Sequence, residues 1–456
     1  MWARLGSNTL ANVLTGGTSI LFQLGLTALA ARSFDTQGFA VWTLTLSMAS
    51  LAPLFAFNLS TVVTRRLVPV LNAQDTREAA TMLKASRRIS LALAVLALVT
   101  ILASGLGLHA LSPNLAGTGI ITFLLALTLT TLGQSWQITI QPEQAWHYAR
   151  EQNWPVAGAL LRIRVTALLA MGLATFFMPG NLIAAAMCFA AGHWVGVLLA
   201  SSGSFRPDLP PRLGAQDLHL HRHHTETARL LRWFAVWSLG MAAIQYGLPP
   251  LMSILHAQHY NAFYVAYTLN LALSGVVMAI GSAMLAPITR FASTGDNRSM
   301  GQALTWVPVL VAVGLLFALL ALQSGMPLLV HYWVGSIAGP AEINAYLSLL
   351  GFQTLARSLS NVYGIVLASH ATALRLVMPP LLELAIALIV ALPLGYLLGE
   401  QAFLLALAGA GAVAALCTVL VGVRASGLPK REAQRLFMRF VATEVAALGL
   451  WAWMAQ

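Results

Sequence analysis

The sequence predicts an all-α polytopic membrane protein with about twelve transmembrane helices in two pseudo-symmetric six-helix bundles. Three observations carry that prediction. Of 456 residues, 58% are hydrophobic and 9% charged, whereas a soluble globular chain carries about 25% charge. The basic residues fall in alternate gaps between long apolar runs. Arg65, Arg66, Arg77, Lys84, Arg87 and Arg88 crowd one gap, while the next, Leu111 to Gly119, has no Lys or Arg. Finally, the two halves of the chain resemble each other at a fixed offset.

A membrane span needs roughly 20 apolar residues. Windows of that size place helices over 8–31, 39–63, 89–110, 118–139, 155–178, 181–202, 231–254, 262–286, 303–323, 343–367, 375–398 and 401–423. The first run starts after Arg4. It is interrupted by Asn8, Asn12, Thr15, Ser19 and Gln23, so it reads as a retained helix rather than a more uniformly apolar cleavable signal. An even number of spans puts both termini on one side. The positive-inside rule makes that side cytoplasmic, with 21 cationic residues inside, Arg32 alone outside and three within spans. The net charge of +11 then belongs to loops facing anionic headgroups, not to a nucleic-acid surface. Cys188 and Cys417 both lie in apolar segments and indicate no disulfide framework.

Residues 1–204 form the expected N-terminal bundle and 230–425 the C-terminal one. Between them, 205–229 contains Pro207, Pro210 and Pro211 and reads as a cytoplasmic linker. Trp42-Thr43-Leu44 and Thr64-Arg65 recur as Tyr267-Thr268-Leu269 and Thr289-Arg290, an offset of 225 residues held over 23 positions. Six spans per half give both halves the same orientation, so the repeats are parallel, with a substrate site expected between them. After Pro429, the basic Lys430, Arg431, Arg435 and Arg439 accompany Leu436, Phe437 and Phe440. That pattern predicts an amphipathic helix over 426–456 on the inner surface, although its apolar tail leaves a thirteenth span open. The outer gaps are short; only Ser324 to Glu342 is longer, and its His331, Tyr332 and Trp333 suggest an interfacial anchor.

Polar residues within the spans are the candidates for function. Asn8, Asn12, Thr15, Ser19 and Gln23 occupy one face of the first span, at helical spacing. Thr130, Gln134, Gln137 and Gln141 form a stripe in the fourth, and Gln353, Arg357 and Asn361 one in the tenth. Helix–helix hydrogen bonding, worth about 1–2 kcal/mol or less, explains one such stripe. A shared water-filled cavity explains three better. Arg357 lies well inside its span, where a charge costs on the order of 3 kcal/mol; it faces either a cavity or Glu383 of span eleven. Arg162 and Arg164 sit about two turns into span five and point to different sides, so one of them is free to snorkel to the cytoplasmic surface. Arg32 closes the first span at the outer edge, against Asp35 or an anionic headgroup. Glu383 is the clear intramembrane carboxylate and the coupling candidate. Scarce carboxylates beside several arginines point to an anion, because guanidinium pairs bidentately with phosphate at any working pH.

His219, His221, His223 and His224 lie in the linker with no cysteine nearby, and read as solvated rather than metal-binding. No nucleotide-binding glycine loop, HExxH helix or nucleophile elbow occurs. The expectation is therefore a protein that is not an enzyme or an ATP-driven pump and that holds no cofactor, metal or nucleic acid.

Ala30-Ala31-Arg32, Gly38-Phe39, Trp42 and Thr64-Arg65 resemble the opening of the polysaccharide-biosynthesis flippases. Those proteins belong to the superfamily that also holds the multidrug and toxin extrusion (MATE) transporters and the lipid II flippases. Met284 to Arg290, Trp333-Val334-Gly335 and Arg375 are similar to residues at matching places in that family. The resemblance implies a MATE-like, V-shaped pair of bundles in a bacterial inner membrane. It implies transport of a polyprenyl-diphosphate-linked oligosaccharide to the outer leaflet for O-antigen, capsule or exopolysaccharide assembly. Membrane lipids, a polysaccharide polymerase and chain-length proteins are the implied partners. Under it, Arg32, Arg162, Arg164 and Arg357 meet the diphosphate, and Asn8, Asn12, Gln23, Gln134, Gln353 and Asn361 meet the glycan. A cation-coupled small-molecule exporter of the same superfamily is the nearest alternative. A glycan polymerase or ligase fits less well, since the outer gaps leave no room for a catalytic loop.

Overall fold

The computed structural model describes residues 2–203, 205–207, 217–370 and 373–454. Those residues form helices and, among the described residues, no strand. The six segments of the first half are α1 (Trp2–Ser33), α2 with α3 (Thr36–Ala49, Leu59–Asn72), α4 (Thr76–Leu111), α5 with α6 (Ile120–Thr139, Gln141–Ala149), α7 (Asn153–Phe177) and α8 (Leu182–Ser201). The second half follows the same plan: α9 with α10 (Asp217–Tyr246, Leu248–Leu255), α11 (Tyr260–Thr294), α12 (Asn297–Trp333), α13 with α14 (Pro340–Leu359, Asn361–His370), α15 with α16 (Ala373–Ile386, Leu392–Leu398) and α17 (Glu400–Ala425). A last helix, α18, spans Lys430–Met454. Nine helical stretches among the described residues are long and apolar enough to cross a membrane.

The duplication is visible in local geometry that composition does not reveal. Gln74 and Gly295 both adopt left-handed backbone, with φ of 59° and 67°. The residue after each, Asp75 or Asp296, caps the next helix by accepting the N–H three positions on, from Glu78 or Ser299. Carboxylates suit helix N-termini because they satisfy orphan donors and face the positive end of the dipole. The fourth span breaks at Ile140 and the tenth at Ser360, again about 220 residues apart. The second span departs from this symmetry. It is not one continuous helix: a 3₁₀ turn over Ala52–Ala56 leads into Phe57 and Asn58, both left-handed at φ 48° and 55°. Asn58 Nδ2 donates to Ser238 Oγ of α9 at 2.8 Å, which ties the side chain at the interruption to α9.

Contacts divide the chain into one unit of Met1–Thr18 with Leu29–Ile254 and another of Ser19–Ala28 with Leu255–Gln456. This boundary differs from the sequence expectation, because α9 and α10 pack with the first unit. The expected linker over 205–229 is helical from Asp217 onward. His223 is buried, not solvated. Arg66 Nη1 donates to the His223 carbonyl at 2.9 Å, Arg66 Nη2 lies 3.0 Å from His223 Nδ1, and Arg66 also pairs with Glu226. A polar residue three turns beyond a proline-rich stretch reads as solvent-facing until the arginine it packs on is known. His219 and His221 have side chains outside the described residues.

Within the first unit α7 and α8 pack closely, since Gly192 and Gly196 lie one turn apart on α8. A Cβ at Gly192 would meet Ala167 Cα at 2.7 Å, and one at Gly196 would meet Ile163 Cα at 2.5 Å. Small residues spaced by four let membrane helices approach in this way.

In the second unit α18 departs from the expected surface helix. Its Leu436, Phe440, Glu444, Ala447 and Trp451 are buried. Phe440 stacks edge-on to Tyr363, and Trp451 Nε1 donates to the Ser348 carbonyl at 2.9 Å. The apolar stripe that would have dipped into lipid is filled by α12, α13 and α17. With 25 residues the helix is about 37 Å long, enough to cross.

Candidate functional site

The first unit holds a partly buried arginine whose hydrogen-bond partners, among the described residues, are neutral. Arg164 points from α7 toward α1, where its Nη1 donates to the Thr15 carbonyl and to Thr18 Oγ1, both at 2.7 Å. Toward the N-termini of both helices, Asn153 Nδ2 donates to Asn12 Oδ1 at 3.1 Å, and Trp154 Nε1 to Ser7 Oγ at 2.6 Å. Asn12 of the α1 stripe, with Ser7, Thr18 and the Thr15 carbonyl, thus joins α1 to α7. Tyr148 of α6 and His193 of α8 lie within electrostatic reach of Arg164. His193 is fully buried between Trp136 and Phe189. Among the described residues no carboxylate lies within ion-pair distance of Arg164. Sequence reading missed His193 and Tyr148; the one available signal was a histidine between two closely spaced glycines in an apolar span.

Arg162 does not join this group. It is exposed, and its Nη1 reaches the Leu199 carbonyl near the C-terminus of α8, at a long 3.5 Å. Two positions along a helix differ by about 200°, so adjacent-looking arginines part company. Arg32 is exposed at the end of α1, and Asp35 caps α2 through the Gly38 N–H at 2.7 Å. Gln134 belongs to a ladder on α5 and α6. Gln137 Nε2 donates to Gln134 Oε1 at 2.5 Å, Gln141 Nε2 to the Gln137 carbonyl at 3.0 Å, and the Ser60 N–H to Gln141 Oε1 at 3.1 Å. This stripe follows the hydrogen-bonding alternative. The side chain of Asn8 lies outside the described residues.

The second unit holds the other charged centre. Arg357 Nε lies 3.3 Å from Glu383 Oε1, with the arginine side chain 17% exposed and the glutamate 2%. Both sit over Gly411 of α17, where a Cβ would come within 3.3 Å of Arg357 Cγ and 3.5 Å of Glu383 Oε1. Gln353 packs on the same spot, 3.6 Å from that position, and its buried Nε2 has no hydrogen-bond partner. Thr354 Oγ1 donates to Asn270 Oδ1 at 2.5 Å, and Asn361 Nδ2 to the Val277 carbonyl at 3.1 Å, tying this helix to α11. Gln23 belongs to the segment of α1 grouped with this unit, where Trp333 Nε1 donates to the Leu24 carbonyl at 2.8 Å. Among the described residues no cluster suited to a metal ion occurs.

No family model and no curated protein matches the chain. Solved structures do. The eukaryotic MATE transporter AtDTX14 superposes with a TM-score of 0.67 at 12% identity, covering 96% of this chain and 98% of that one. The Vibrio cholerae MATE transporter VcmN gives 0.66 at 12% identity, over 96% and 98%. The lipid II flippase MurJ in an inward closed conformation gives 0.63 at 11% identity, over 95% and 96%. Across this sequence distance the likeness establishes the fold: an all-helical, multi-pass, MATE-like membrane protein.

Proposed function

We propose that this chain is an alternating-access flippase that carries a polyprenyl-diphosphate-linked oligosaccharide from the inner to the outer leaflet. The observation that carries the reading is Arg164, a partly buried cation within an apolar helix whose partners, Thr15 and Thr18, are neutral. Burying a charge without an opposite one is costly, so such a site favours an anionic cargo. A diphosphate supplies two anionic groups and acceptors matched to guanidinium. Asn12, Asn153 and Tyr148 flank it with groups that hydrogen-bond sugar hydroxyls. Moving two uncompensated negative charges outward across an inside-negative membrane gains about 4–5 kcal/mol per 100 mV, so no ATP site is required.

Arg357 and Glu383 form the second element of the proposal. Their pair is neutral as it stands; a proton or small cation on Glu383 would leave Arg357 without its counter-charge. The same pair supports the second reading, a cation-coupled small-molecule exporter, in which Glu383 binds the coupling ion. Loss of surface polysaccharide in a strain lacking the protein, restored by wild type and not by Arg164→Ala, is the expected result for the flippase. Full complementation by Arg164→Ala, or drug efflux without a glycan phenotype, would overturn it.

A further inference from the structure

The first turns of α18 carry a cationic ladder that neither the fold nor the proposed transport uses. Arg431, Arg435 and Arg439 follow one another at one-turn intervals, and all three are exposed. None takes part in an ion pair among the described residues. Glu432 lies three residues before Arg435, on a neighbouring part of the helix face, yet forms no ion pair with it among the described residues. The three arginines line a hollow of about 380 Å³ together with Gln434 and Met438.

Arg439 also lines a second cavity, of about 410 Å³, between α12 and α18. Its walls are apolar: Trp306, Pro308 and Val309 from one helix, Leu436 and Phe440 from the other, with Tyr363 behind. The groove opens toward the surface on which α12 exposes Leu310, Val313 and Phe317. A band of that composition meets acyl chains rather than water. Trp306, 61% exposed at its edge, has the amphipathic ring that settles at headgroup level. Positive residues at the starts of α12 and α18 place this end on the cytoplasmic side.

The geometry points to a binding site for an anionic phospholipid of the inner leaflet, its phosphodiester on Arg435 and Arg439 and one acyl chain in the α12–α18 groove. A free anion would use the arginines and leave the apolar wall without purpose. A zwitterionic lipid would fill the groove but gain little from three exposed cations that make no ion pair among the described residues. Basic pockets between membrane helices on the cytoplasmic side recognise acidic headgroups on this principle.

The test uses the full-length protein in a neutral detergent, with binding of phosphatidylglycerol and of chain-matched phosphatidylcholine followed by native mass spectrometry. Each arginine near a headgroup contributes roughly fivefold, so wild type is expected to prefer phosphatidylglycerol by about 100-fold at low salt. Arg431→Gln, Arg435→Gln and Arg439→Gln together should erase the preference while leaving phosphatidylcholine binding unchanged. Ala442→Trp, which fills the groove from its exposed rim, should weaken both lipids. Equal binding of the two lipids by wild type, or a preference that survives the triple substitution, would overturn the assignment. So would complete displacement of phosphatidylglycerol by inorganic phosphate at matched ionic strength, which would reduce the site to a surface anion patch.

Discussion

Arg164 in the first unit and Arg357 in the second are both inside the membrane region, yet they are stabilised in opposite ways. Arg357 has a carboxylate at 3.3 Å, whereas Arg164 has a carbonyl and a hydroxyl at 2.7 Å. Neutral acceptors satisfy hydrogen-bond geometry and leave the charge. A carboxylate removes the charge and creates a dependence: either member alone is a buried ion. In the proposed function, the contrast leaves Arg164 poised for an anion at all times. Arg357 is available only when Glu383 is neutralised.

The largest expected effects follow from that asymmetry. Arg357→Met strands Glu383, and breaking a buried pair costs about 3–5 kcal/mol, so thermal unfolding in detergent should fall sharply. Arg357→Met with Glu383→Leu should recover most of the loss. If the single substitution is as stable as wild type, the pair is not the compensated centre described. Arg164→Met removes an uncompensated charge and should leave stability near wild type or above it. Its cost should appear in transport, where removing one partner of a buried charge contact with the diphosphate costs about 2–5 kcal/mol.

A smaller effect is expected at Glu444, whose two carboxylate oxygens are buried on α18 without a hydrogen-bond partner among the described residues. An unsatisfied buried polar group costs roughly 1–3 kcal/mol, so Glu444→Leu should raise the unfolding temperature. A loss of transport with unchanged stability would instead give Glu444 a role in the cycle. The smallest effect concerns the start of α9. Burial, and then the neighbouring Arg66, hold the His223 imidazole below its usual range, against the opposing pull of Glu78 and Glu226. Its neutral form is therefore favoured in the folded state. The resulting stability is complete above pH of about 6.5 and declines as pH falls toward the depressed folded value, since the unfolded chain takes up the proton first. His223→Gln should flatten that acid limb, measured as protease access to 205–229 between neutral and mildly acidic pH.

How much of this was legible in the sequence varied with the range of the signal. Apolar length located the helical segments because it is a property of a window. The Arg357–Glu383 pair was legible as an alternative, since a carboxylate in a span must find something. The division at Ile254 was not, because it depends on Ser238 finding Asn58 and on Ser253 finding Ser112 far along the chain. Nor was the packing of α18: amphipathic stripes look alike whether lipid or protein covers them. Arg162 and Arg164 differ by two positions, and only the close approach at Gly196 fixes which one turns inward.

The central claim is that Arg164 holds the diphosphate of a lipid-linked glycan. The most direct measurement is flipping of a fluorescent polyprenyl-diphosphate disaccharide in proteoliposomes, read by dithionite quenching, for wild type, Arg164→Lys and Arg164→Ala at matched protein content. The account predicts rapid flipping by wild type, partial activity with lysine and a loss of roughly 30-fold or more with alanine. Equal rates for wild type and Arg164→Ala would contradict it.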